Sequence, residues 1–89
     1  MQLAIVVQSQ AGHDKGDWFA VTGIEGDFAL IADGKHRPLE APKRKRLKHL
    51  APTCTVLSPG QMRTNRQLRQ ALSLFRTCMS KEGNDLGKG

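Results

Sequence analysis

Two groups of residues in this chain have the types and spacing to do chemistry. One is the pair Lys15-Gly16, the other the run Lys43-Arg44-Lys45-Arg46 with Lys48 and His49 close behind. A glycine beside a lysine lets the backbone approach an anion while the ammonium supplies a point charge. The same glycine can also serve only the dihedrals of a tight loop, and the residue types leave both roles open. The run is different. Six groups that are or can become cationic fall within the seven residues 43–49 and repel one another unless something neutralises them. Phosphates would do so and would release bound counterions. Lys35 and Arg37 lie just upstream, and Arg66, Arg69 and Arg76 recur later on one helical face. The candidate phosphate-contacting set is therefore Lys15, Gly16, Lys35, Arg37, Lys43, Arg44, Lys45, Arg46, Lys48, Arg66 and Arg69.

Other chemistries find little support. His13, His36 and His49 stand at no recognised catalytic spacing from a Cys or Asp, and neither a nucleophile elbow nor a phosphate loop occurs. Cys54 and Cys78 lack the paired spacing of a zinc site and are too few for a disulfide framework. We expect no enzyme, no metal, no cofactor and no small-molecule substrate. Aromatics are scarce: Trp18, Phe19, Phe28 and Phe75, with no Tyr. Readers of single strands stack bases on several exposed rings. The composition favours recognition of phosphates and shape in structured RNA instead.

The 89 residues hold one domain, 38% hydrophobic and 25% charged, which is the profile of a folded chain. The longest apolar run, Leu3–Val7, is far too short for a membrane span and has no cationic segment before it. We expect a cytoplasmic protein with no membrane partner, monomeric when free. Net charge is +6 and unevenly placed. Residues 1–34 hold Lys15 against five acids, whereas residues 35–89 hold 13 bases against three acids. Such a split points to one basic face for a polyanion.

These residues must be positioned by the elements around them. Met1–Ser9, Trp18–Ile24 and Phe28–Ala32 alternate and are rich in β-branched or aromatic residues, so each reads as a strand. Gln10–Asp17 and Glu25–Asp27 are glycine-containing loops. Asp33-Gly34 is a hairpin signal, which makes Lys35–Ala41 the returning fourth strand, on an edge because of Pro38. Leu47–Leu50 could add a short fifth. Strands this short and tightly connected suggest a barrel, since a flat sheet would leave its edges open. Its core would draw on Ile5, Val7, Phe19, Val21, Ile24, Leu30 and Ile31. Residues 51–63, punctuated by Pro52, Pro59 and Gly60, read as a linker. Thr64 and Gln67 fit a capping box opening a helix over 64–82. Its stripe of Leu68, Ala71, Leu72, Phe75 and Met79 would pack on the barrel with Phe75 as the main anchor, or else dock on a partner. Gly83 would stop the helix and leave 83–89 as a flexible tail.

The segment Val6–Ile24, with Gln10-Ala11-Gly12-His13-Asp14-Lys15-Gly16-Asp17 between two apolar strands, resembles a KOW motif, and Lys15-Gly16 fills its diagnostic positions. The continuation Leu30-Ile31-Ala32-Asp33-Gly34-Lys35, then Arg37-Pro38-Leu39-Glu40 and Pro42 to Leu50, narrows the match. It resembles the small bacterial KOW-domain RNA-binding proteins, themselves similar to certain KOW-containing large-subunit ribosomal proteins. Thr64-Asn65, Leu68-Arg69, Ala71-Leu72 and Phe75-Arg76 resemble their C-terminal helix. The resemblance covers residues 2–50 and part of 64–76. It implies a mainly β fold, a small SH3-like (KOW) barrel over 1–50 followed by a linker and one C-terminal α-helix. It also implies binding to structured RNA, ribosomal RNA or a ribosomal subunit, without catalysis. An alternative stays open: a protein-interaction module of the transcription or translation machinery whose basic patch meets an acidic protein surface.

Overall fold

A computed structural model describes the backbone of residues 1–88 and the side chains of residues 1–77. Met79 of the expected helical stripe lies outside the described side chains. Five strands, β1 (Ile5–Ser9), β2 (Trp18–Glu25), β3 (Phe28–Ala32), β4 (Lys43–Arg46) and β5 (Leu50–Val56), precede one helix, α1 (Asn65–Lys88). The fold is mainly β. All strand pairings are antiparallel in a single sheet of order β4-β3-β2-β1-β5.

Chain connectivity forces this sheet to curl. A flat five-stranded sheet would hold its outermost strands about 19 Å apart. Those strands are β4 and β5, joined only by the 3-10 turn Leu47–His49. The four Cα steps from Arg46 to Leu50 reach about 14 Å at most. Register shifts between Ile5 and Val7 in β1 and between Val21 and Gly23 in β2 supply the bends. The Gln10 N–H donates to the His49 carbonyl, tying the turn to the end of β1. The ladder itself is not closed: β4 and β5 remain edges.

Curling gives the sheet two buried faces. Val7, Phe19, Val21, Ala29, Ile31 and Leu50 form one cluster that no helix covers, so it lies inside the curl. Val6, Ala20 and Ala32 face the other way and meet Leu57, Leu68, Ala71 and Leu72. Consecutive residues of a strand point to opposite faces, which is why Val6 and Val7 are both fully buried. Of the expected core, Ile5 and Leu30 are half-buried, and Ile24 is exposed because β2 there runs past the start of β1 and has a neighbour on one side only.

Four expected elements need correction. The short strand expected over Leu47–Leu50 is a 3-10 turn over Leu47–His49, and the fifth strand only begins at Leu50. Lys35–Ala41 is a loop, not the fourth strand. The Asp33 Oδ1 accepts the backbone N–H groups of Lys35 and Arg37, both at 2.8 Å, and takes them away from any ladder. The strand opposite β3 is instead the basic run, with Phe28 against Arg46 and Ile31 against Lys43. Residues 51–63 are not a linker. Leu50–Val56 pairs with β1 as an edge strand, where Pro52 lacks only an outward donor. The Thr53 hydroxyl donates to the Val6 carbonyl at 2.8 Å. Pro59–Met62 is a 3-10 turn. The helix also continues past Gly83 to Lys88, since one interior glycine costs only about 1 kcal/mol.

α1 packs on the sheet. Thr64 Oγ1 accepts the Gln67 N–H at 3.1 Å and caps the helix as expected. Leu68 is completely buried, with Ala71 and Leu72 nearly so. Leu68 is therefore the deeper anchor. Phe75 is only half-buried and meets Trp18 edge-on, with 5.1 Å between ring centroids.

Candidate functional site

The basic run divides by strand alternation. Lys43 and Lys45 point to one side of β4, Arg44 and Arg46 to the other. Lys45 is 8% exposed, and its Nζ lies 2.6 Å from Asp14 Oδ1. It also donates to the Ala11 carbonyl. Lys43 Nζ is 2.8 Å from Asp14 Oδ2, and the Ser9 hydroxyl donates to Asp14 Oδ1 at 2.7 Å. Burial alone would raise the Asp14 carboxyl. The hydrogen bonds from Lys43, Lys45 and Ser9, with the Lys43 charge, outweigh that and hold it well below the usual carboxylate range. Two of the candidate phosphate ligands thus clamp the β1–β2 loop onto β4 through an acid of this same chain. Part of the opposed charge that the run requires, that for Lys43 and Lys45, is supplied internally by Asp14.

Arg44 and Arg46 remain on the surface. Their guanidinium carbons lie 4.0 and 5.2 Å from the centroid of the Phe28 ring. Lys48 is exposed on the 3-10 turn between β4 and β5.

A second basic grouping was less legible. The β1–β2 loop, the loop after Asp33 and one face of α1 meet around a cleft of about 370 Å³. Gly16 borders it from the first, Lys35 and His36 from the second, Arg69 and Arg76 from the third. Gly16 has φ +91° and open space where a Cβ would stand. Its N–H donates to the Ser9 carbonyl, so that amide is already engaged. Lys15 beside it is exposed. Asp17 and Asp33 also line the cleft, but one oxygen of Asp33 is occupied by its own turn. Arg37 and Arg66 are exposed outside this lining.

The loop carrying Lys35 and His36 is locked to the helix. Gly34, at φ +79°, is buried so closely on the first turn of α1 that a Cβ would overlap the Asn65 carbonyl oxygen. The Asn65 side chain accepts the Leu39 N–H at 2.7 Å and donates to Glu40 at 2.6 Å. His36 and Arg76 are the cleft residues missing from the candidate set. The signals were there: His36 adjoins Lys35, and Arg76 lies seven residues, two helical turns, beyond Arg69.

Among the described residues, no group of His, Cys, Asp and Glu is arranged to hold a metal, and Cys54 is an exposed free thiol. Among the described residues no helix is long and apolar enough to cross a membrane. No protein-family model matches the chain, and no curated protein matches its sequence.

Proposed function

We propose that this protein binds structured RNA, ribosomal RNA or a ribosomal particle, by docking the cleft between the Lys15-Gly16 loop and α1 on phosphates. The observation that carries the reading is convergence. Lys35, His36, Arg69 and Arg76 come from two segments more than thirty residues apart in sequence, and the fold sets them around one space beside Gly16. Three permanent cations of the lining, Lys35, Arg69 and Arg76, outnumber its two acids, Asp17 and Asp33, and one Asp33 oxygen is already engaged by its own turn, so the cleft keeps an excess of positive charge that a polyanion can meet. The curled sheet with its interior cluster and two bulges fits an SH3-like, KOW-type barrel, which accords with the KOW-like pattern of residues 6–24. The protein acts as a binding module in the cytoplasm and not as an enzyme.

In this reading the contact surface lies away from Lys43 and Lys45, which Asp14 engages. Lys15, Lys35, Arg69 and Arg76 would meet about four phosphates, giving a log affinity against log salt slope of about −3 to −4. Fluorescence anisotropy with a structured RNA hairpin measures this slope. A flat response removes the proposal. Binding that survives nuclease in a ribosome co-sedimentation assay would favour an acidic protein partner instead.

A further inference from the structure

The outer face of the β3–β4 pair holds a feature that the cleft does not use. Phe28 and Arg46 are directly opposed across the pair, and Arg44 lies two residues along the same face. Both guanidiniums sit over the Phe28 ring. A flat guanidinium on a ring face is held by the ring's quadrupole, so it loses little freedom when it binds something else. The Arg44 side chain is 60% exposed, and its nearest carboxylate, Glu25, is 3.8 Å away and equally exposed. So loose a pair is easily displaced. Beside Arg46 is a hollow of about 360 Å³ lined by Asp27, Arg46, Leu47 and Lys48. An apolar side chain, a stacking plane, an ammonium and a carboxylate therefore surround one space.

These are the complementary groups of a single nucleotide. A base needs a flat surface and an apolar contact, its exocyclic amine an acceptor, and its phosphate a cation. We infer that the hollow and the Phe28–Arg44–Arg46 stack form a second site, which takes one unpaired nucleotide of RNA. The base lies on Arg46 and Leu47, and the phosphates on Lys48 and the free edge of Arg44. The site is distinct from the cleft. Phe28 starts β3, whereas the cleft lies beyond its other end at Asp33, about 13 Å of strand away. The inference rests on RNA being the ligand proposed above, and the controls separate the two.

The test uses the full chain and three RNAs: a blunt duplex, the same duplex with a short unpaired overhang, and that overhang without its bases. The overhang should improve affinity by about tenfold over the blunt duplex, the scale of one stacked base. The abasic overhang, which keeps only the phosphate contacts, should gain clearly less than the intact one. Arg44→Lys with Arg46→Lys keeps the charge but removes the flat planes, and should abolish the advantage of the overhanging over the blunt duplex when both are measured on the same variant. Phe28→Leu, which leaves both arginines without their support, should reduce it. Equal binding of blunt and overhanging RNA, an abasic overhang as good as the intact one, or lysine variants that keep the advantage would each overturn this site and leave the cleft standing. Failure to bind any of the three RNAs would overturn the RNA reading itself.

Discussion

Among the described residues Asp14 gathers more side-chain hydrogen bonds than any other side chain, and its role follows from burial. Its carboxylate holds two ammonium groups and a hydroxyl, and Lys45 has little water to fall back on. Removing one partner of a buried pair leaves the other charge without compensation. Asp14→Asn should therefore cost about 3 kcal/mol in urea unfolding. Lys45→Met should cost less, about 1–2 kcal/mol, because Asp14 keeps Lys43 and Ser9. The pH dependence has a definite sign. The carboxyl is held lower in the folded chain than in the unfolded one, so its stabilisation is complete above the ordinary carboxylate pKa and is lost as pH falls toward the folded value. The stability gap between wild type and Asp14→Asn should stay constant from neutral pH to about 5 and narrow below about 4. The glycines make a second comparison. Gly16 and Gly34 both have positive φ, but only Gly34 is pressed against backbone. Gly16→Ala should cost about 1–2 kcal/mol from dihedral strain alone. Gly34→Ala adds a steric overlap with α1, so its melting temperature should fall further; equal losses would deny the close contact.

At the scale of elements, α1 is the external cover of the sheet. Val6, Ala20 and Ala32 would face water without it. An isolated helix of this composition is marginal, so its order depends on that packing. Leu68→Ala should cost about 3–4 kcal/mol and Phe75→Ala about 2 kcal/mol, because Leu68 is wholly enclosed and the Phe75 ring keeps one side in solvent. Amide exchange in the free protein gives an independent check, with protection expected from Leu68 to Leu72. Exchange there at unfolded rates would mean that α1 leaves the sheet. The strand β4 teaches a different lesson. Four consecutive cations have no hydrophobic alternation, yet the alternation is present in their partners. Even-numbered members meet an aromatic ring, and odd-numbered members meet a carboxylate.

For the whole molecule the net charge of +6 is a poor guide to where a polyanion would sit. Part of the densest basic segment is spent on holding the curl shut, and a sparser set is drawn together at the cleft. The two predict different variants. Lys35→Ala with Arg69→Ala and Arg76→Ala should flatten the salt dependence of RNA binding by about 2 to 3 in slope and leave the melting temperature nearly unchanged. Lys43→Ala with Lys45→Ala should do the reverse, lowering the melting temperature and sparing the slope. Anisotropy titrations at several salt concentrations and a thermal melt separate these outcomes. A steep loss of slope in the second variant would return the binding role to the run.

Strand periodicity was enough to find β1, β2 and β3, because a period of two is imposed locally by the backbone, but of their buried hydrophobic residues it supplied only Val7, Phe19, Val21 and Ile31 and missed Val6, Ala20, Ala29 and Ala32. The helix was legible for the same reason, from Thr64, Gln67 and the spacing of Leu68, Leu72 and Phe75. The KOW-like loop and the excess of cations beyond residue 34 are the sequence features on which the proposal of a phosphate-rich ligand rests. The rest depended on pairs distant in sequence. Nothing near Asp14 announces that its partners are 29 and 31 residues away, and nothing near Lys35 places it beside Arg69. β5 was hidden by its single proline, Pro52, which an edge strand tolerates, and Lys35–Ala41 reads as a strand but is a loop because the Asp33 side chain competes for the amides a ladder would use. Local pattern determines which segments are strand or helix. Only the curl of the sheet decides which charges neutralise one another inside the chain and which stay exposed, because that depends on through-space distances no local pattern encodes.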